Sequence, residues 1–216
     1  CASAAAAPVG QPFGPEGPQS GDGPPGQEEV PLLVLVAARP QGAQGDLPDL
    51  EDAGDGLDRR HGVAGAEGAA DAAAMCVLIG ETAAQRLQTS VIAELVSVGL
   101  SAGSPAGEGM VGAAAVQKAL TKAGKTADEI DLIAVNEATA AQALSVIAAL
   151  GLSAGEAEKK VNPYGGALAS GNPWGAAGCV ELHKLLCGLK AQNKQWGLVV
   201  CGGEGGQALA AVVKMR

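Results

Sequence analysis

From about residue 62 onward the chain alternates apolar runs with helical stretches, and each stretch has a readable stop. Residues 73–79 (AAMCVLI) and 91–101 (VIAELVSVGLS) read as strands, with a short helix from Glu81 to Gln88 between them. A second helix over roughly 112–123 ends at Gly124, where a left-handed C-cap has no steric cost. The run IDLIAV (130–135) reads as a buried strand, and Glu137 to Leu150 as a helix stopped by Gly151. After VNPYGGALASGNPWG (161–175), a helix is predicted from about Pro173 to Leu189, with Asn172 as N-cap and Pro173 at the first helical position. Two strands close the chain, WGLVVC (196–201) and QALAAVVKM (207–215), joined by the turn GGEGG. This βαβαβαββ order predicts an α/β fold: a mostly parallel, five-stranded sheet with helices on both faces.

Residues 1–60 follow another pattern. They hold nine of the twelve prolines, in stretches such as QPFGPEGPQSGDGPPGQ, a composition that opposes helix and sheet and offers little to bury. This segment is expected to be largely disordered, and residues 61–216 to form one domain. The exception is EEVPLLVLVAA (28–38), whose apolar run predicts an edge strand with Pro31 near its start. The opening Cys1, in place of Met, is expected of a processed, trimmed or incomplete chain.

Composition sharpens the picture. With 47% hydrophobic but only 2% aromatic residues, a core must be built from Ala, Val, Leu and Ile with close approach at glycines. The formal charge of -9 is concentrated in residues 1–60, where ten acidic and three basic side chains give -7 and leave -2 for the rest. No cluster of Lys and Arg offers a footprint for a phosphate backbone, so nucleic acid is not an expected partner. No apolar run is long enough for a membrane span. Cys1, Cys76, Cys179, Cys187 and Cys201 show neither CxxC pairing nor metal-ligand spacing, and read as reduced thiols of an intracellular protein, cytoplasmic or in a mitochondrial matrix, with no metal site. GGEGGQ is followed by a strand instead of a helix, unlike a dinucleotide fingerprint, and GALASGNPWG lacks the Lys and Ser/Thr of a phosphate-binding loop.

Four segments, in order and at compatible spacings, resemble the thiolase family. EGAADAAAMCVLI (67–79) is similar to its SGxxDGAAAVLL stretch, and AAAVQKALTKAGKTADEIDLIAVNEATAAQAL (113–144) to its helix, strand and NEAF motif. VNPYGGALASGNPWGAAG (161–178) resembles the N-x-x-GG-x-x-x-x-GHP-x-GxxG loop, and CGGEGGQALAAVV (201–213) the CxGGG turn and last strand. Together they cover nearly the whole C-terminal half of a thiolase subunit. The resemblance implies acyl transfer between coenzyme A thiols by Claisen condensation or its reverse, with an acyl-CoA thioester as substrate and no separate cofactor.

By matched position the resemblance gives Asn136 the asparagine that holds an oxyanion-hole water, Cys201 the acid/base thiol, and Gly203 a backbone oxyanion donor. The histidine of GHP is here Asn172, whose amide donates a hydrogen bond but accepts no proton near neutral pH. Type III β-ketoacyl-acyl carrier protein synthases, which resemble thiolases in fold, carry asparagine there but histidine at the position of Asn136, so neither relative's base is present. His183 lies eleven residues beyond Asn172, roughly 16 Å along a helix, and His61 precedes the folded part. Among positions that meet the substrate, the serine of SGxxDG is Glu67 and the alanine and phenylalanine of NEAF are Ala138 and Thr139. The family's nucleophilic cysteine belongs to an N-terminal half, and Cys76 matches an interior strand position instead.

Plainer roles stay open at this point: Cys201 as a buried thiol at a strand end, Asn136 and Asn172 as helix caps. The expected activity is that of a thiolase-type acyltransferase domain, impaired or inactive alone. The alternative is a non-catalytic protein that binds coenzyme A or a partner. Either way, the face that an N-terminal half covers is expected to drive association with such a half or into a homo-oligomer.

Overall fold

A computed structural model describes residues 31–36, 67–104, 108–203 and 205–216. The disorder expected over 1–60, and His61, lie outside the described residues apart from 31–36. The elements follow in the order β1 (Pro31–Val36), β2 (Met75–Gly80), α1 (Glu81–Leu87), β3 (Ala93–Ala102), α2 (Glu108–Ala123), β4 (Leu132–Val135), α3 (Ala140–Leu150), α4 (Ala154–Lys160), α5 (Ala167–Ser170), α6 (Ala177–Ala191), β5 (Trp196–Gly203) and β6 (Gln207–Met215).

These strands form one six-stranded sheet in the order β2-β1-β3-β6-β5-β4. The α/β class and helices on both faces match the sequence reading, whereas the mostly parallel, five-stranded sheet is corrected. Only β4 and β5 pair in parallel, and β1 with β2, β1 with β3, β3 with β6 and β5 with β6 are all antiparallel. Strand β1 adds the sixth strand and runs against both its neighbours, and the two remaining antiparallel pairings come from one insertion. Helical crossovers do carry β3, β4 and β5 in a common direction, but β6, returned by the tight turn after β5, enters between β3 and β5 and runs against both. The turn bends through Gly205 (φ 83°) and Gly206 (φ 75°), conformations that glycine adopts without steric cost.

The edge strand expected at 28–38 is also corrected. Residues 31–36 form a strand flanked by β2 on one side and β3 on the other, so β2 is the outer strand. Pro31 is the first residue of β1, a place where a missing N–H is tolerated.

Two apolar layers hold the helices to the sheet. On one face, α2 and α3 bury Ala115, Ala119, Leu120 and Val146 against Ile133, Val200, Ala210 and Val212. On the other, Leu185, Leu186 and Leu189 of α6 meet Leu132, Ala134, Val199 and Val213. With so few aromatic side chains, close backbone approach replaces bulk. A Cβ on Gly99 would run into the Ala115 carbonyl and lie 2.6 Å from the Ala119 amide nitrogen, which shows how tightly α2 lies on β3. Ser97 fits in the same seam because its hydroxyl donates to the Ala119 carbonyl at 2.7 Å.

Stops and caps follow the sequence closely at Gly124 (φ 63°) and Gly151 (φ 68°). The helix expected from Glu137 begins later, at Ala140, because Thr139 caps it by accepting from the Gln142 amide at 3.2 Å. The helix expected from Pro173 starts as a 3₁₀ turn over Trp174–Ala176 before α6 begins at Ala177, since Trp174 takes φ 52° and cannot start a regular helix. Among the described residues no single helix is long and apolar enough to cross a membrane.

Candidate active site

The parallel pair β4 and β5 ends beside the loops that bear most of the matched motifs. Val135 closes β4, and the Asn136 amide continues the ladder by donating to the Val200 carbonyl at 2.8 Å. The free side of β4 is covered by Asn162, which imitates a neighbouring strand. Its Oδ1 accepts from the Val135 amide at 2.8 Å, while its Nδ2 donates to the Val135 carbonyl at 2.9 Å and to Glu137 Oε1 at 2.6 Å. Glu137 Oε2 in turn accepts from the Leu168 amide at 3.1 Å. A Cβ on Gly166 would meet the Glu137 carboxylate, which would have to shift away from the loop. Glu137 and Asn162 thus bind the NEAT turn to the NPYGG loop.

A second strap brings in the segment before β2. The Glu67 amide donates to the Ala138 carbonyl at 3.2 Å, the Asn172 amide to the Gly68 carbonyl at 2.7 Å, and the Ala70 amide to the Asn172 carbonyl at 3.0 Å. These bonds set residues 67–70 between the NEAT turn and the GNP loop. Their side chains follow: Asn172 Nδ2 donates to Glu67 Oε1 at 2.5 Å, and Asn172 Oδ1 accepts from the Trp174 amide at 2.8 Å.

The result is a cavity of about 370 Å³ lined by Glu67, Asn136, Ala138, Asn172, Trp174 and Gly202, with other residues of α2, α3 and β5. Two buried acceptors there, Glu67 Oε2 and Asn136 Oδ1, have no hydrogen-bond partner among the described residues. Burial raises the Glu67 carboxyl above its ordinary 4.5, the Asn172 hydrogen bond opposes this, and the Glu137 charge adds to it. Of the residues expected from the sequence, Glu67, Asn136, Ala138 and Asn172 therefore share one cavity.

Cys201 faces a neighbouring, more open hollow of about 540 Å³ with Leu100, Lys118 and Leu209, and Gly202 and Gln207 border both spaces. A Cβ on Gly178 would lie 3.6 Å from its sulfur, which places the thiol against the start of α6. Burial pushes this thiol up to about 12, with the Glu181 carboxylate and Cys179 adding to the effect. Gly203 lies one residue beyond Gly202 and pairs with Gln207. Thr139 does not line the cavity, since its hydroxyl serves as the cap of α3. The cap roles are corrected: Asn172 accepts from the Trp174 amide and borders the cavity, but the cap position of the 3₁₀ turn is Pro173 and that of α6 is Ala176, and Asn136 caps no helix.

The remaining candidates stay apart. Cys76 is partly buried against the α6 layer, and its thiol is pushed up to about 11 by burial and then by its hydrogen bond to Cys179. His183 Nε2 lies 3.6 Å from Cys187 Sγ, and its Nδ1 is buried without a partner among the described residues, away from the cavity. Among the described residues no group of three His, Cys, Asp or Glu side chains is placed to hold a metal ion. The roles of Glu137 and Asn162 escaped the sequence reading. Both stand inside quoted motifs, as the glutamate of NEA and the asparagine of N-x-x-GG, and that position was the available signal.

Residues 89–215 match the family of the thiolase C-terminal domain. The chain is 40% identical over 149 residues to the acetyl-CoA acetyltransferase of Escherichia coli, covering 69% of this chain and 37% of that protein. It is 37% identical over 147 residues to the beta-ketothiolase BktB of Cupriavidus necator, covering 68% of this chain and 36% of the relative. It thus spans little more than a third of the length of these relatives. In three dimensions it superposes on the acetyl-CoA acetyltransferase of Bacillus anthracis with a TM-score of 0.66 and 30% identity, over 70% of this chain and 38% of the other. The same figures hold for human mitochondrial 3-ketoacyl-CoA thiolase in complex with CoA. The chain belongs to the thiolase family, whose C-terminal domain it carries.

Proposed function

We propose that this chain is the C-terminal part of an acyl-CoA acyltransferase of the thiolase type, handling an acyl-CoA thioester in the cavity between the NEAT turn and the GNP loop. The observation that supports this best is the convergence of Asn136, Ala138 and Asn172 on one cavity, with Gly202 joining it to the hollow of Cys201. In this reading the side-chain carboxamide of Asn136 serves the thioester oxygen, and the backbone of the 202–203 turn supplies a further donor. Cys201, protonated at neutral pH, serves as an acid that protonates the carbanion departing on carbon–carbon cleavage.

The nucleophilic cysteine comes from an N-terminal half, and Asn172 does not activate it, because a carboxamide accepts no proton. A partner of that kind, or a second copy of this chain, covers the face where Leu100 and Leu209 stand paired and exposed. The chain alone is therefore expected to show no thiolysis of acetoacetyl-CoA. Turnover that disappears on Cys201→Ala would overturn that expectation.

The second reading is a thiolase-like protein that binds a coenzyme A thioester without turning it over. It is favoured by Asn172 at the histidine position and by a Cys201 thiol pushed up to about 12. Calorimetry with acetyl-CoA together with a full-length thiolysis assay separates the two, since binding without turnover in the presence of an N-terminal half supports the second.

A further inference from the structure

We propose that Glu67 is the base of this cavity: its free Oε2 takes a proton from the carbon next to the carbonyl of a bound acyl-CoA thioester, while Asn172 holds the carboxylate by Oε1. This rests on the acyl-CoA reading above and adds a residue to it. From the sequence Glu67 is only a departure at a substrate-contacting position; the geometry gives it work.

Three observations carry the assignment. Among the described residues lining the 370 Å³ cavity, Glu67 is the one with a titratable side chain. Its two oxygens are differentiated: Oε1 accepts from Asn172 Nδ2, whereas Oε2 is buried and meets no donor among the described residues. A buried, unpaired carboxylate oxygen is costly unless a ligand uses it. Third, the neighbouring alternative is a weak base, because the Cys201 thiol is almost wholly protonated near neutral pH.

The charges around Glu67 act in the same direction. Glu137 beyond β4 and Glu181 on α6 are both acidic, and Lys184 is engaged with Glu181 at 3.3 Å. Burial first and then the Glu137 charge raise the Glu67 carboxyl, against the Asn172 hydrogen bond, and a raised carboxyl is a stronger base. In the step itself the C–H bond breaks, its electron pair moves into the enolate, and the proton forms an O–H bond on Glu67. Asn136 brings an amide to the same cavity, where a donor stabilises negative charge on the thioester oxygen. On return the carboxylic acid delivers a solvent-exchanged proton to carbon, so the cycle needs no oxidant or second substrate.

The test is deuterium uptake at the methyl carbon of acetyl-CoA in D2O, read by mass spectrometry over a range of pD, with acetyl-CoA binding measured in parallel by calorimetry. The wild-type chain is expected to exchange above the buffer background, with a rate that rises as Glu67 ionises and then levels. Glu67→Gln, which can still accept from Asn172, is expected to lower exchange by about a hundredfold or more while binding persists. Glu67→Asp, which keeps a carboxylate on a shorter stem, should retain a measurable part. Binding without exchange in the wild type overturns the assignment to Glu67 and leaves the acyl-CoA reading standing. Exchange that survives Glu67→Gln, or a Gln variant that loses binding, also overturns it, the latter because the carboxylate then serves to hold the ligand. Absence of any acetyl-CoA binding by the wild type overturns the acyl-CoA reading itself.

Discussion

Asn162 is the residue whose removal should do most damage for its size. Its carboxamide serves both backbone groups of Val135, a residue 1% exposed, and also donates to Glu137 Oε1. In Asn162→Ala the Val135 amide and carbonyl lose their partners at the end of β4, and each unsatisfied buried group costs about 1–3 kcal/mol. Asn162 also takes φ 44°, a region where asparagine is better tolerated than alanine. The expected loss is about 2–5 kcal/mol, measured by urea unfolding with a shared m-value across variants. Asn162→Asp is the sharper comparison: it can still accept from the Val135 amide but donates to neither partner and sets a second carboxylate against Glu137. It should be at least as destabilised as the alanine variant near pH 7 and recover part of the loss at low pH. An aspartate variant as stable as the wild type at neutral pH would refute the reasoning.

Three further substitutions test the packing and the electrostatics. Gly99→Ala places a methyl against the backbone of α2, which cannot rotate away, and should cost about 1–3 kcal/mol in thermal unfolding. Gly155→Ala, in helix α4 with nothing near its Cα, should instead gain about 0.5–1 kcal/mol. Glu181 is 4% exposed, and burial raises its carboxyl despite Lys184. Its folded-state value lies above the unfolded 4.5, so the wild type loses stability as pH rises through the raised value. Glu181→Gln should match the wild type below about pH 4 and exceed it near pH 7; pH-dependent melts showing parallel curves would rule this out.

Element identity was legible along most of the chain because periodicity and glycine stops are local. The closing strand Gln207–Met215, and the stops at Gly124 and Gly151, fall where the pattern placed them. Neighbour relations were not legible. Strand β6 enters between β3 and β5, and nothing in its own residues distinguishes that place from the outer edge; the preference arises from the tight turn together with the α2 layer it helps to cover. The strand at 31–36 illustrates the same limit, since an apolar run with proline at its start reads as an edge whether or not a later strand flanks it.

The site divides likewise. Asn136, Ala138 and Asn172 were found through motifs, and the fold does bring them together. What motifs did not convey was partnership across long separations: Glu67 and Asn172 are 105 positions apart, and Asn162 and Glu137 are 25. Thr139 shows the reverse error. A residue at a pocket-lining position became a helix cap, because a hydroxyl beside a free helix amide finds a closer use.

The account depends on a thioester occupying the cavity that Glu67, Asn136 and Asn172 share. Its most direct test is a titration of acetyl-CoA into the isotope-labelled chain, followed through the amide and side-chain carboxamide resonances. Saturable shifts concentrated at Asn136, Asn172 and Gly202 are the predicted result; saturable binding that leaves those resonances unmoved would contradict it.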